Sequence, residues 1–131
     1  MRHSLWGLAE VDRMCGRYEA SRHRYEQVHA ISQEIGDRRG EGHALGGLAE
    51  VDRLRGHYEA ARHQLEQALT ICQEIGDRHG EAHTLWSLGN VAKDMADTDT
   101  AADHWRKALQ ILDSLQLPFA ATVRDSLATL N

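Results

Sequence analysis

An all-α fold of three stacked helix pairs closed by a C-terminal helix is predicted by three observations. They are a 40-residue internal repeat, Gly-Asp punctuation inside it, and apolar residues at helical spacing. Residues 1–40 align on 41–80 without a gap and share 25 identities. A third, weaker copy starts at Glu81 and keeps EAHTLWSLGNVAKD. A fixed period of this size marks a solenoid, whose units are small motifs unable to bury their apolar faces alone. Such a stack offers an extended face to another chain rather than a central cavity for chemistry.

The first helix starts almost at Met1 and lacks the EIGD segment that precedes the later ones, so it is expected to be the least protected part of the chain. Gly16 then breaks the chain, and a helix follows over about 18–35. Gly36 suits the left-handed position that ends a helix, and Asp37 can cap the next by accepting from its unpaired backbone N–H groups. That next helix is predicted over 38–55. After Gly56 comes a helix over 58–75, whose Tyr58, Ala61, Leu65, Ala68, Leu69, Ile71, Cys72 and Ile75 make one apolar stripe. Gly76 and Asp77 repeat the stop and start, giving a helix over 78–95. A turn at Ala96-Asp97 leads into a helix over 99–115. Pro118 opens the last helix, with Phe119, Val123, Leu127 and Leu130 on one side. Strand-like alternation is absent. One domain over 1–131 is expected, with repeats at about 1–36, 37–76 and 77–117 and a capping helix over 118–131.

Composition narrows the function. A formal charge of −5 with dispersed basic residues argues against nucleic acid, which wants a basic stripe. No apolar run is long enough to span a membrane, and the N-terminus lacks the apolar core of a signal peptide. Cys15 and Cys72 fall at unrelated points of their repeats, which disfavours a disulfide staple and suits a reducing cytoplasm. Thirteen Arg against two Lys is a habit of GC-rich genomes and hints at a bacterial source. No HExxH, CxxC, P-loop or Ser/His/Asp grouping occurs, so neither an enzyme nor a cofactor is expected. His3, His43 and His83 recur at one offset, and His79 precedes His83 by one turn. Equivalent positions on stacked helices sit about 8–10 Å apart, whereas ligands of one zinc must each come within about 2.1 Å. No metal site is expected.

At several offsets the residues resemble the tetratricopeptide repeat. Repeat three supplies Leu85, Leu88-Gly89, Ala101, Trp105 and Ala108. Repeat two supplies Leu45, Leu48-Ala49, Gly56, Tyr58, Ala61, Leu65 and Ala68, and repeat one Leu5, Leu8-Ala9, Gly16, Tyr18, Ser21, Tyr25 and Val28. The period is 40 residues rather than the roughly 34 usual in the family. It is similar to the repeats of spindle-orientation adaptors and of the sensor halves of bacterial transcription regulators. The resemblance implies a right-handed solenoid that binds a protein or peptide. Asp12 and Asp52 stand where the family often has Tyr. A carboxylate near the seam between paired helices needs a partner, such as Arg22 or Arg62.

The resemblance also implies which positions of each pair's first helix face a ligand on the concave side. They are His3, Trp6, Gly7, Glu10 and Arg13, then His43, Gly46, Gly47, Glu50 and Arg53, then His83, Trp86, Ser87, Asn90 and Lys93. Trp6 and Trp86 would flank a strip floored by Gly46 and Gly47. Glycine inside a helix costs about 1 kcal/mol relative to alanine, so these two invite a reason. One reason is a notch for a partner's backbone; drift, or a tight contact with a neighbouring helix, is the other. Asn90 and Lys93, one turn apart, could hold a peptide backbone. Glu10 with Arg13 and Glu50 with Arg53 read as internal ion pairs or as partner contacts. The family's chaperone-tail clamp is missing, because Trp6, Glu10 and Gly46 occupy positions it needs. The expected partner-binding residues are thus Trp6, Glu10, Gly46, Gly47, Glu50, Arg53, Trp86, Asn90 and Lys93. The expected function is a protein- or peptide-binding module within a larger regulator or adaptor. The alternative is self-association into a homo-oligomer through the uncapped first repeat.

Overall fold

The structure, a computed structural model, describes residues 2–130. Among them are seven α-helices and no strand: α1 (Arg2–Met14), α2 (Tyr18–Ile35), α3 (Arg38–Leu54), α4 (Tyr58–Ile75), α5 (Arg78–Asp94), α6 (Thr98–Ser114) and α7 (Ala120–Ala128). The bounds of α2 through α6 fall within one residue of those the punctuation predicts. α7 starts after Pro118, because Leu117 to Phe119 form a turn in which Ala120 N–H donates to the Leu117 carbonyl at 3.2 Å.

The stops and starts follow from local chemistry. Gly36 and Gly76 hold φ of 75° and 71°, which glycine adopts without steric cost. In each case the following Asp N–H turns back to a helix carbonyl, Ser32 at 2.8 Å and Cys72 at 2.9 Å. Asp37, Asp77 and Asp97 then accept from the N–H of Gly40, Gly80 and Thr100, at 3.0, 2.9 and 3.2 Å. The Gly40 bond, with Arg2 close by, holds the Asp37 carboxyl below the usual carboxylate range. Ala96, at the repeat offset of Gly16 and Gly56, takes the left-handed conformation at φ 63° without being glycine, so its turn carries a cost that those two avoid.

The chain divides into two compact units, Met1–Ile71 and Cys72–Asn131. In the first, α1 packs on α2 and α2 on α3. Tyr25 of α2 is the centre, fully buried among Ala9, Leu48 and Val51, with Trp6 and Tyr18 against the cluster. Ser21 donates to the Ala9 carbonyl at 2.8 Å, a small buried hydroxyl that lets α1 and α2 approach closely. In the second unit, α5 packs on α6 and α6 on α7. Trp105 is buried there, and its indole N–H donates to the Trp86 carbonyl at 3.0 Å.

The buried carboxylates find their partners by geometry. Arg17 donates to Asp12 at 2.8 Å, and Arg24 donates to its other oxygen. Arg22 donates to both oxygens of Asp52, at 3.0 and 2.9 Å, so an arginine of α2 reaches a carboxylate of α3. Arg22 is therefore a true partner, whereas Arg62 is not. Arg62 pairs with Glu59 and Glu66 on its own helix.

Candidate functional site

The expected ligand-facing residues of the first unit lie on α1 and α3. Trp6 sits edge-on to Tyr25 at 5.2 Å between ring centroids and tilts against His43 at 6.2 Å. It is partly buried, so one part of the indole anchors the core while the rest remains open. Glu10 accepts from Arg13 at 2.7 Å and from the Tyr25 phenol. Burial, with Glu10 beside it, pushes the Tyr25 pKa up and keeps the phenol a donor. Glu50 accepts from Arg53 at 2.8 Å. Both pairs have the internal i,i+3 geometry, with each charge satisfied within its own helix turn.

The two neighbouring glycines separate. A Cβ at Gly46 would have nothing within 4 Å, so the surface there is open. A Cβ at Gly47 would lie 2.6 and 2.7 Å from Cδ1 and Cζ of the Tyr25 ring. Gly47 is buried and belongs to the contact between α2 and α3, not to the floor of an open notch. For Gly47 this is the second of the two reasons the sequence offered, a tight contact with a neighbouring helix, and it leaves Gly46 as the open glycine of the pair.

Beside Trp6 lies a cleft of about 240 Å³. Its walls include Trp6, Val28, His3, His43, Arg2 and Arg39, with Asp37 and Gly40 at the start of α3. Arg2 donates to Asp37 at 2.5 Å and tethers the start of α1 to the start of α3. Arg2 and Arg39 were not among the expected site residues. They lie outside the family's ligand-facing offsets, and Asp37 read only as a cap. They come to line one cleft because α1 and α3 both pack on α2.

In the second unit, α5 carries Trp86, Asn90 and Lys93. Trp86 stacks on Trp105 at 5.4 Å and meets Phe119 edge-on at 5.4 Å. It is thus held on two sides and partly exposed. Asn90 is also partly exposed, and Lys93 is exposed. Gly89 plays the part of Gly47: a Cβ there would lie 2.9 Å from Cε2 of Trp105. Among the described residues no group of three or more His, Cys, Asp and Glu could hold a metal ion, and no helix is long and apolar enough to cross a membrane.

The family model described as tetratricopeptide repeat matches residues 1–74. No curated protein matches the sequence. Solved structures match in fold. The apo form of RapI superposes with a TM-score of 0.91 at 17% identity, over 98% of this chain and 47% of that one. A Rap protein complexed with competence and sporulation factor gives 0.89 at 19% identity, over 96% of this chain and 36% of that one. A kinesin light chain from Podosopora anserina, with nearly identical TPR-like repeats, gives 0.83 at 17%, over 98% of this chain and 64% of that one. This chain therefore spans less than two thirds of each of these structures. With the Gly-Asp punctuation, the seven-helix order and the family match in agreement, the chain belongs to the tetratricopeptide repeat family.

Proposed function

We propose that this chain is a binding module, without a reaction of its own, that holds a segment of a partner protein along α1 and α3. The observation that carries the reading is the partly exposed Trp6 on the wall of the cleft, and open space at Gly46 of α3 supports it. A half-exposed indole offers large apolar area with few rotors to freeze, which suits a hot spot. The bare Gly46 lets a backbone come close. The Rap structure solved with competence and sporulation factor lends support by analogy of fold. On α5, Asn90 and Lys93 are proposed as contacts of the second unit in their own right.

The test is selection from a displayed library of short linear peptides, followed by titration of variants. Gly46→Leu should block binding without unfolding the chain, since leucine favours helix and meets open space. Trp6→Ala should weaken binding about 30-fold. For a peptide that the second unit holds by itself, Asn90→Ala should cost about 1 kcal/mol through lost backbone hydrogen bonds. Arg62→Ala on α4 serves as the control. Loss of binding in Arg62→Ala with normal binding in Gly46→Leu would place the ligand elsewhere.

One observation favours a second reading, self-association. Leu8, Val11 and Met14 of α1 are 47%, 51% and 78% exposed, whereas Leu48 and Val51, at the same repeat offsets as Leu8 and Val11, are 6% and 0% exposed. Light scattering across a concentration series, with Val11→Asp as the disrupting variant, separates the two. A dimer that Val11→Asp dissolves supports self-association, and a monomer throughout removes it.

A further inference from the structure

We propose that the face of α1 carrying Gly7, Leu8 and Val11 is a socket for an amphipathic helix of a partner protein that inserts an aromatic side chain. The site stands apart from the strip of Trp6 and Gly46. Residues 5–13 read LWGLAEVDR and residues 45–53 read LGGLAEVDR, so α1 and α3 differ over this stretch only by Trp6 for Gly46. On α3 the shared residues Gly47, Leu48 and Val51 are buried. On α1 their counterparts Gly7, Leu8 and Val11 are exposed, the last two at 47% and 51%.

The helix that covers the α3 copy shows what the α1 copy is shaped to take. α2 lies antiparallel across α3. Glu19 meets Arg55, Arg22 meets Asp52 and Tyr25 meets Gly47, while a Cβ on Gly40 would come within 2.6 Å of Ser32 Oγ. The Tyr25 ring is the knob of this contact. It is fully buried, takes the place of a side chain at Gly47, and packs with Leu48 and Val51. At Gly7 a Cβ would have nothing within 4 Å, so the same hole stands open. A ring seated there buries a large apolar area on both partners.

Chemistry selects among occupants. A second copy of this chain has no such ring free, because among the described residues every Trp, Tyr and Phe is buried or half-buried against its own fold. Residues spaced three and four apart on one helix face are covered best by another helix, whose ridges fit between them. Charge is less demanding here than on α3. Asp52 takes Arg22 from the covering helix, whereas Asp12, at the same offset, already accepts from Arg17 at 2.8 Å and from Arg24. The incoming helix therefore needs the ring and not an arginine.

The experiment uses the full chain and a probe of known shape, the α2 peptide of residues 18–35. An isolated helix of this length is marginal in water, so a covalent bridge between the exposed positions 23 and 27 holds it helical. Followed by fluorescence anisotropy, the peptide should bind saturably. Tyr25→Ala in the peptide should weaken binding about 30-fold, and Arg22→Ala in it should stay within about twofold. In the protein, Gly7→Leu should fill the socket and weaken binding about tenfold. Val11→Asp should do the same by placing a charge under the ring. Both positions are exposed, so both variants should keep the wild-type melting curve. Gly46→Leu should leave this binding intact. Absence of saturable binding, or binding that Gly7→Leu and Val11→Asp leave unchanged, would overturn the proposal and leave the reading of the Trp6 strip standing. Equal binding by the Tyr25→Ala peptide would overturn it too. A dimer that excludes the peptide and that Val11→Asp dissolves would assign the face to a second copy and overturn the partner helix.

Discussion

The ring of Tyr25 occupies the space that a side chain at Gly47 would need. A Cβ added there would sit 2.6 Å from Cδ1 of a fully buried aromatic. One residue earlier on the same helix, Gly46 faces open space. The two glycines should therefore respond to alanine with opposite signs. Gly47→Ala forces a buried ring or the α2–α3 spacing to shift and should destabilise by about 1–3 kcal/mol. Gly46→Ala gains helix propensity without a clash and should stabilise by about 0.5–1 kcal/mol. Urea denaturation of both variants checks the pair; matching signs would refute the packing role of Gly47.

Arg22 and Arg62 occupy the same repeat offset and should differ sharply. Arg22 covers Asp52, whose side chain is 4% exposed. The ring nitrogen Nδ1 of His57 stands 3.8 Å from it. Arg22→Ala leaves that carboxylate buried and poorly paired, at a cost of about 2 kcal/mol, less than for a fully buried pair because Arg22 is itself partly exposed. Arg62 makes exposed pairs only, and Arg62→Ala should stay within about 0.5 kcal/mol of wild type. Adding Asp52→Ala to Arg22→Ala should recover part of the loss, and denaturant midpoints of the three variants decide it.

Asp37 makes stability depend on acid. Its carboxyl titrates below the unfolded value of 3.8 because the folded chain donates to it from Gly40 N–H and from Arg2. The unfolded chain therefore takes up this proton first as pH falls. The contribution is fully present above the unfolded pKa and is lost as pH drops through the lower folded value. Asp37→Asn keeps the cap but carries no charge, so it should flatten this part of the acid dependence and forgo, near neutrality, the stability that the charge supplies. Asp37→Ala should cost about 1 kcal/mol near neutrality. Denaturation midpoints measured above and below pH 3.8 show whether the slope belongs to Asp37.

Phe119 tethers the segment entering α7 to α5. Its ring lies edge-on to Trp86 at 5.4 Å and tilts against His83 at 5.9 Å. Phe119→Ala removes both contacts, and the α7 amides should then exchange faster, while those of α5 and α6 keep most of their protection. Uniformly faster exchange across the second unit would show that Phe119 supports the whole unit instead.

The local features were determined by the sequence alone, because each depends on residues a few positions apart. Gly36 and Asp37 end one helix and start the next through bonds that span three to five residues. Apolar spacing sets the inward stripe of α4, and it needs no knowledge of what lies across from it. Tertiary structure decided what each stripe meets. Gly46 and Gly47 are the same residue, yet a step along a helix turns the side-chain direction by about 100°. One therefore points to open space and the other to Tyr25 of α2. Arg22 and Arg62 share an offset, but the offset that holds Asp52 in repeat two holds Ala92 in repeat three. The cleft was hidden for the same reason: Arg2 and Arg39 lie 37 positions apart in the chain, and they line one cleft only because α1 and α3 both pack on α2.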